Sequence, residues 1–119
     1  MQNRSDNILT KITKALAPLH PYRVIIFGSY ADGTETNDSD VDLLVVLDSD
    51  RIPTTFAERT ELRSQVAHRL RSIRQMVPMD IFVQTRPLYK KFLNEGGQFA
   101  RQLSKEGKVL YENSHQRVA

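Results

Sequence analysis

The sequence predicts a small α/β (α+β) fold, a mixed β-sheet with helices packed on it. Three observations point there. Three short apolar runs rich in β-branched and aromatic residues, at 22–27 (YRVIIF), 41–47 (VDLLVVL) and 79–84 (MDIFVQ), read as buried strands. Amphipathic stretches of helical period precede the first run and separate the second from the third. The 119 residues suffice for one core, with no internal repeat and no composition shift that would mark a boundary. A single domain over 1–111 with a loose tail over 112–119 is expected.

In chain order, Ser5 is placed to cap a first helix whose Ile8, Leu9, Ile12, Ala15, Leu16 and Leu19 share one face. Lys11 and Lys14 lie outside that face, and Pro18 marks its end. The first strand runs into Gly28. In the second, a period of two puts Asp40, Asp42, Leu44 and Val46 on one side and Val41, Leu43, Val45 and Leu47 on the other. A second long helix is expected to start near Thr54 or Thr55, after Pro53, and to run to about residue 75 on a stripe of Leu62, Val66, Leu70 and Ile73. Pro78 introduces the third strand, where Asp80 and Phe82 face opposite to Ile81 and Val83. Shorter helices at 88–94 and 98–106, parted by Gly96 and Gly97, and a brief 109–111 run complete the domain.

The chemistry concentrates between the first two strands. Gly28 and Ser29 follow a strand end, where a hydroxyl and a backbone N–H can meet a phosphate. Ten residues on, Asp40 and Asp42 project to the same side of the second strand. Paired carboxylates repel and are costly to desolvate unless a cation bridges them, so the pair points to a hard metal with oxygen ligands, Mg²⁺ above all. Asp80 heads the third strand. If that strand lies beside the second, Asp80 completes a triad able to hold two metals, or serves as base toward an acceptor hydroxyl.

Other readings of the same residues fall away. An EF-hand counted from Asp38 would need glycine and glutamate where Leu43 and Ser49 stand, and no Gly-Lys-Ser/Thr follows the glycine as in a P-loop. Arg63 and His68 match the Arg-x(4–6)-His spacing of HEPN ribonucleases, yet on a helix they point about 140° apart. They are read as exposed helix surface, and His20 and His115 as turn and tail residues.

With no cysteine, disulfides and cysteine-based zinc sites are excluded, and no apolar stretch is long enough to span a bilayer. The N-terminus lacks the apolar segment of a signal peptide, so a soluble cytoplasmic protein is expected. The net charge of +3 is unevenly spread: residues 32–50 hold seven of the fourteen acids and no Lys or Arg. The basic remainder would attract triphosphates, RNA or an acidic protein, but no RNA-binding aromatic motif accompanies it, and direct nucleic-acid binding is not expected.

Gly28, Ser29, Asp40, Asp42 and Asp80, with their spacing and strand context, resemble the minimal nucleotidyltransferase (MNT) domain of the DNA polymerase β-like superfamily, over nearly the whole chain. The resemblance implies that Asp40, Asp42 and Asp80 bind Mg²⁺, in two ions, and carry catalysis, while Gly28 and Ser29 position a nucleoside triphosphate, ATP by default. One residue departs from the pattern: many members have Ala-Arg-Gly after the Gly-Ser, whereas this chain has Ala31-Asp32-Gly33. Stand-alone MNT proteins are commonly antitoxins paired with HEPN ribonuclease toxins, some of which they inactivate by transferring AMP to a tyrosine. That role is the one the resemblance implies here. A non-catalytic antitoxin, and a small-molecule or RNA nucleotidyltransferase working as a homo-oligomer, are the alternatives.

Overall fold

The computed structural model describes residues 4–113. Helix α1 (Arg4–Leu16) leads through a 3-10 turn at Ala17–Leu19 into strand β1 (Arg23–Phe27), which ends in the one-turn helix α2 (Ser29–Asp32). A loop returns to β2 (Val41–Leu47), followed by α3 (Phe56–Arg69), the short α4 (Arg71–Arg74) and β3 (Met79–Thr85). Helices α5 (Arg86–Glu95) and α6 (Gln98–Glu106) and strand β4 (Lys108–Glu112) close the fold.

The four strands form one mixed sheet in the order β3-β2-β1-β4. β1 runs antiparallel to both β2 and β4, whereas β2 and β3 are parallel. A parallel pair needs a crossover, which α3 and α4 supply. β3 therefore stands at one edge of the sheet, with its second side unpaired among the described residues.

Both faces of the sheet are covered, which is why β2 reads as a continuous apolar run. On one face Val41, Leu43, Val45 and Leu47 meet Ile8, Ile12 and Leu16 of α1, Leu62 and Val66 of α3, and Ile73 of α4. On the other, Ile25, Phe27, Leu44 and Val46 meet Tyr89 of α5 and Leu103 of α6. The alternation expected of β2 is thus realised as two cores, one on each face.

The elements follow the sequence closely, with local differences. Thr55 is the N-cap of α3, its hydroxyl accepting from the Glu58 N–H at 3.1 Å, one of the two starts expected. Leu70 interrupts the long helix, so the expected single helix is α3 plus the separate turn α4, and the apolar stripe still reaches Ile73. α1 is described from Arg4, so Ser5 lies inside the helix instead of ahead of it. His20 is indeed a turn residue, with a left-handed φ of 49° where it closes the 3-10 turn. Arg63 and His68 are both exposed on α3, as a solvated helix surface requires.

At the C-terminal end, two residues assigned to the tail are structured. Glu112 is the last residue of β4 and accepts from Arg23 Nη2 at 2.8 Å, and Asn113 is buried with its N–H on the Tyr22 carbonyl. The remaining tail residues, His115 among them, lie outside the described residues.

Candidate active site

Every expected site residue sits at one end of the sheet, where β1 finishes and β2 and β3 begin. Parallel pairing of β2 with β3 sets Asp42 opposite Asp80, and antiparallel pairing of β1 with β2 sets Asp42 opposite Phe27. The turn that leaves β1 passes beside the same carboxylate. Gly28 has φ 75° and ψ −156°, a conformation open to glycine, and a Cβ there would overlap Asp42 Oδ2 and lie 3.4 Å from its Cγ. Glycine is therefore required twice, by the backbone and by the carboxylate.

Past that turn the chain enters α2 at Ser29, which is half-buried, and the Ala31 N–H returns to the Gly28 carbonyl at 3.0 Å. Gly33, with φ 80°, ends α2. Asp32 is spent on this turn: its Oδ1 accepts from the Thr34 N–H at 3.0 Å and from the Thr34 hydroxyl at 2.5 Å. Those bonds, the hydroxyl's first, hold its carboxyl below the ordinary range. The residue that replaces the expected arginine is thus an exposed carboxylate tied to its own loop.

Two carboxylates, Asp80 and Asp40, act electrostatically on Asp42. Burial pushes its carboxyl above the ordinary value, and the charges of Asp80 and then Asp40, with a hydrogen bond to Asp80, push it the same way. Asp40, on the loop entering β2, and Asp80, on the edge strand, are both exposed. Among the described residues no three acidic or histidine side chains converge into a ready metal-holding group. The preassembled part of the expected triad is the Asp42–Asp80 pair, to which Asp40 adds its charge. An all-oxygen donor set under mutual repulsion fits a hard divalent cation, since such a cation relieves the strain that the carboxylates impose on one another.

Beside the pair, on the same sheet face, the rings of Phe27, Phe82, Phe99 and Phe92 form a chain with neighbouring centroids 5.2–6.0 Å apart. Sequence reading missed this group as a functional feature. The signal was present in the period of two, which put Phe82 on the same side as Asp80, and in Phe27 immediately before Gly28. What it lacked was the return of α5 and α6 over that face.

The pattern of the nucleotidyltransferase domain matches residues 7–110, which takes in all of these positions. The chain belongs to that family. This nucleotidyltransferase is 33% identical over 89 residues to a protein of Methanocaldococcus jannaschii described as a putative protein adenylyltransferase, an alignment covering 75% of the chain and 77% of that relative. Among solved structures, a toxin-antitoxin with AMP-PNP is similar with a TM-score of 0.53 and 22% identity, over 91% of this chain and 76% of that one. The structure of a protein of Sulfolobus solfataricus described as a putative nucleotidyltransferase aligns with a TM-score of 0.51 and 16% identity, over 91% of this chain and 83% of that one. At such identities the solved structures speak for the shared fold, and the family and its nucleotidyl-transfer activity rest on the sequence match. Among the described residues no helix is long and apolar enough to cross a membrane.

Proposed function

We propose that this nucleotidyltransferase is the antitoxin of a HEPN/MNT pair and transfers AMP from ATP to a tyrosine of its toxin, with Mg²⁺ held by Asp40, Asp42 and Asp80. The observation that carries the reading is the in-register alignment of Asp42 with Asp80 against the Gly28 turn. Support for a protein acceptor comes from the description of the archaeal relative, and for the toxin partner from the fold shared with a toxin-antitoxin structure.

The sheet order supports a division of labour. The turn at Gly28 and Ser29 lies over β1 and offers backbone N–H groups and a hydroxyl to the departing phosphates. Asp42, over β2, lies between that turn and Asp80 and would face the reacting α-phosphate. Asp80, over β3, accepts the proton of the attacking hydroxyl as its oxygen bonds to the α-phosphorus and the bond to the β-phosphate oxygen breaks. Bound Mg²⁺ would neutralise the triphosphate and the developing charge. Without it, ionised Asp40, Asp42 and Asp80 would repel the substrate.

Incubation with ATP, Mg²⁺ and a HEPN protein from the neighbouring gene, followed by intact mass, tests the reading. The expected result is a gain of AMP units on a toxin tyrosine that vanishes in the D40N/D42N protein. A toxin silenced in a stable complex with no added mass would replace it with an antitoxin that acts by binding. Asp32, an anion where the family resemblance leads one to expect arginine in many members, is the observation that favours that second reading.

A further inference from the structure

A hollow of about 570 Å³ opens along the free edge of β3, lined by the strand from Asp80 to Gln84, by Leu44, Phe92 and Phe99 on one face of the sheet and by Arg63 of α3 on the other. Ile81 and Val83 carry the unpaired backbone groups of this edge. The Val41 N–H donates to the Pro78 carbonyl at 2.9 Å and the Arg86 N–H to the Ser49 carbonyl at 3.2 Å, so the even-numbered residues of β3 turn their N–H and C=O groups toward β2. Backbone polarity alternates along a strand, which directs the N–H and C=O groups of Ile81 and Val83 outward, with no strand beside them among the described residues. An edge of this kind is a template for another chain. We propose that a partner protein completes it with an extended segment in which acidic side chains alternate with apolar ones. Such docking needs neither nucleotide, metal nor acceptor and so lies outside the transfer reaction.

The side chains beside the edge select that pattern. A strand added there places its residues level with Ile81 and Val83 on the α3 face and its residue level with Phe82 on the opposite face, whichever direction it runs. On the α3 face Arg63 is exposed, and Arg59, also exposed, lies one turn earlier on the same side of the helix. Neither makes an ion pair among the described residues, and the two like charges repel each other. Carboxylates arriving on this face relieve that repulsion. On the other face Phe82 is 45% exposed although it stacks on Phe27 and Phe99, and an apolar side chain laid on it covers the rest of the ring.

A second copy of β3 does not meet the pattern. Its own residues on the α3 face are Met79, Ile81, Val83 and Thr85, none of them acidic, and a two-fold axis through the seam would bring the two α3 helices, with Arg59 and Arg63, toward each other. The basic pair therefore points to a different chain.

The probes are acetyl-Thr-Val-Glu-Phe-Glu-Val-Thr-amide and the same peptide with lysine for glutamate, titrated onto the full chain without ATP and followed by amide hydrogen exchange. The glutamate peptide is expected to slow exchange at Ile81 and Val83 saturably, leaving Phe82 and Gln84, whose amides already face β2, little changed. It should bind about tenfold tighter than the lysine peptide, and Arg63→Glu, at an exposed position, should reverse that preference. Phe82→Ala should weaken the glutamate peptide by about tenfold. Equal binding of the two peptides, a preference that survives Arg63→Glu, an affinity indifferent to Phe82→Ala, or protection that spares Ile81 and Val83 would overturn the docking edge. So would protection of those two amides that grows with protein concentration in the absence of peptide, since a second copy would then occupy the edge. No step of transfer enters these readouts, so failure of the nucleotidyl-transfer reading would leave them standing.

Discussion

Asp42 and Asp80 face each other across the only parallel pair of strands among the described residues, and the Asp42 carboxyl is raised by burial first and then by the charges of Asp80 and Asp40. A carboxyl that holds its proton more tightly folded than unfolded stabilises the fold at low pH. That contribution is whole below the unfolded value near 4 and disappears as pH rises through the raised folded value. Free of metal, the protein is therefore expected to lose thermal stability across this acid window. Asp42→Asn should flatten the loss and melt higher than the native protein at pH 7, while nucleotidyl transfer falls by at least about a thousandfold. Melting curves at pH 4 and pH 7 with parallel activity assays check both; an Asp42→Asn protein that melts lower at pH 7 would remove the repulsion.

The same repulsion gives a metal prediction. A divalent cation that binds only the folded carboxylates stabilises by about 1.4 kcal/mol at ten times its dissociation constant. Mg²⁺ should raise the native midpoint, a chelator should reverse the rise, and Asp42→Asn should show little of either. An equal response in both proteins would place the cation away from Asp42.

Gly28→Ala introduces two separable faults, a side chain at φ 75° and an overlap with Asp42 Oδ2. The backbone strain alone costs about 1–3 kcal/mol, and displacement of the carboxylate adds to it and removes activity. A double-mutant cycle distinguishes the two. In an Asp42→Ala background the overlapping atom is gone, so the Gly28→Ala cost in denaturant melts should shrink to the backbone part. An undiminished cost would show that the carboxylate was free to move aside.

The contrast between what could be read in advance and what could not is physical. β2 was legible residue for residue because both of its faces are buried, and the alternation of Asp42 and Leu44 with Val41 and Leu43 is local. The partnership of Asp42 with Asp80 was only conditional, since parallel pairing is decided by a crossover, not by any neighbour in sequence. The break at Leu70 escaped because the apolar stripe carries on through it to Ile73. The chain of Phe27, Phe82, Phe99 and Phe92 escaped because it is assembled by α5 and α6 folding back over β3, which no spacing within β3 announces. Asp32 was visible as an exception, but the two hydrogen bonds from Thr34 that give it a structural task were not.

That task makes the departure at position 32 testable without disturbing the loop. Asparagine keeps a side-chain oxygen able to accept from the Thr34 N–H and hydroxyl, so the turn closed by Gly33 should persist, and only the negative charge is lost. Asp32 is fully exposed, so the effect on fold stability should be negligible. Its effect on a triphosphate at the adjoining turn is that of one surface charge. Asp32→Asn should lower the KM for ATP by about two- to fivefold at low salt, with kcat little changed, and the gain should fade as ionic strength rises. Asp32→Arg would add an attraction as well but forfeit the bonds to Thr34, so its KM should fall further only if α2 keeps its place. A KM for ATP insensitive to both substitutions would mean that the phosphates do not pass near this turn, and would count against Gly28 and Ser29 as their seat.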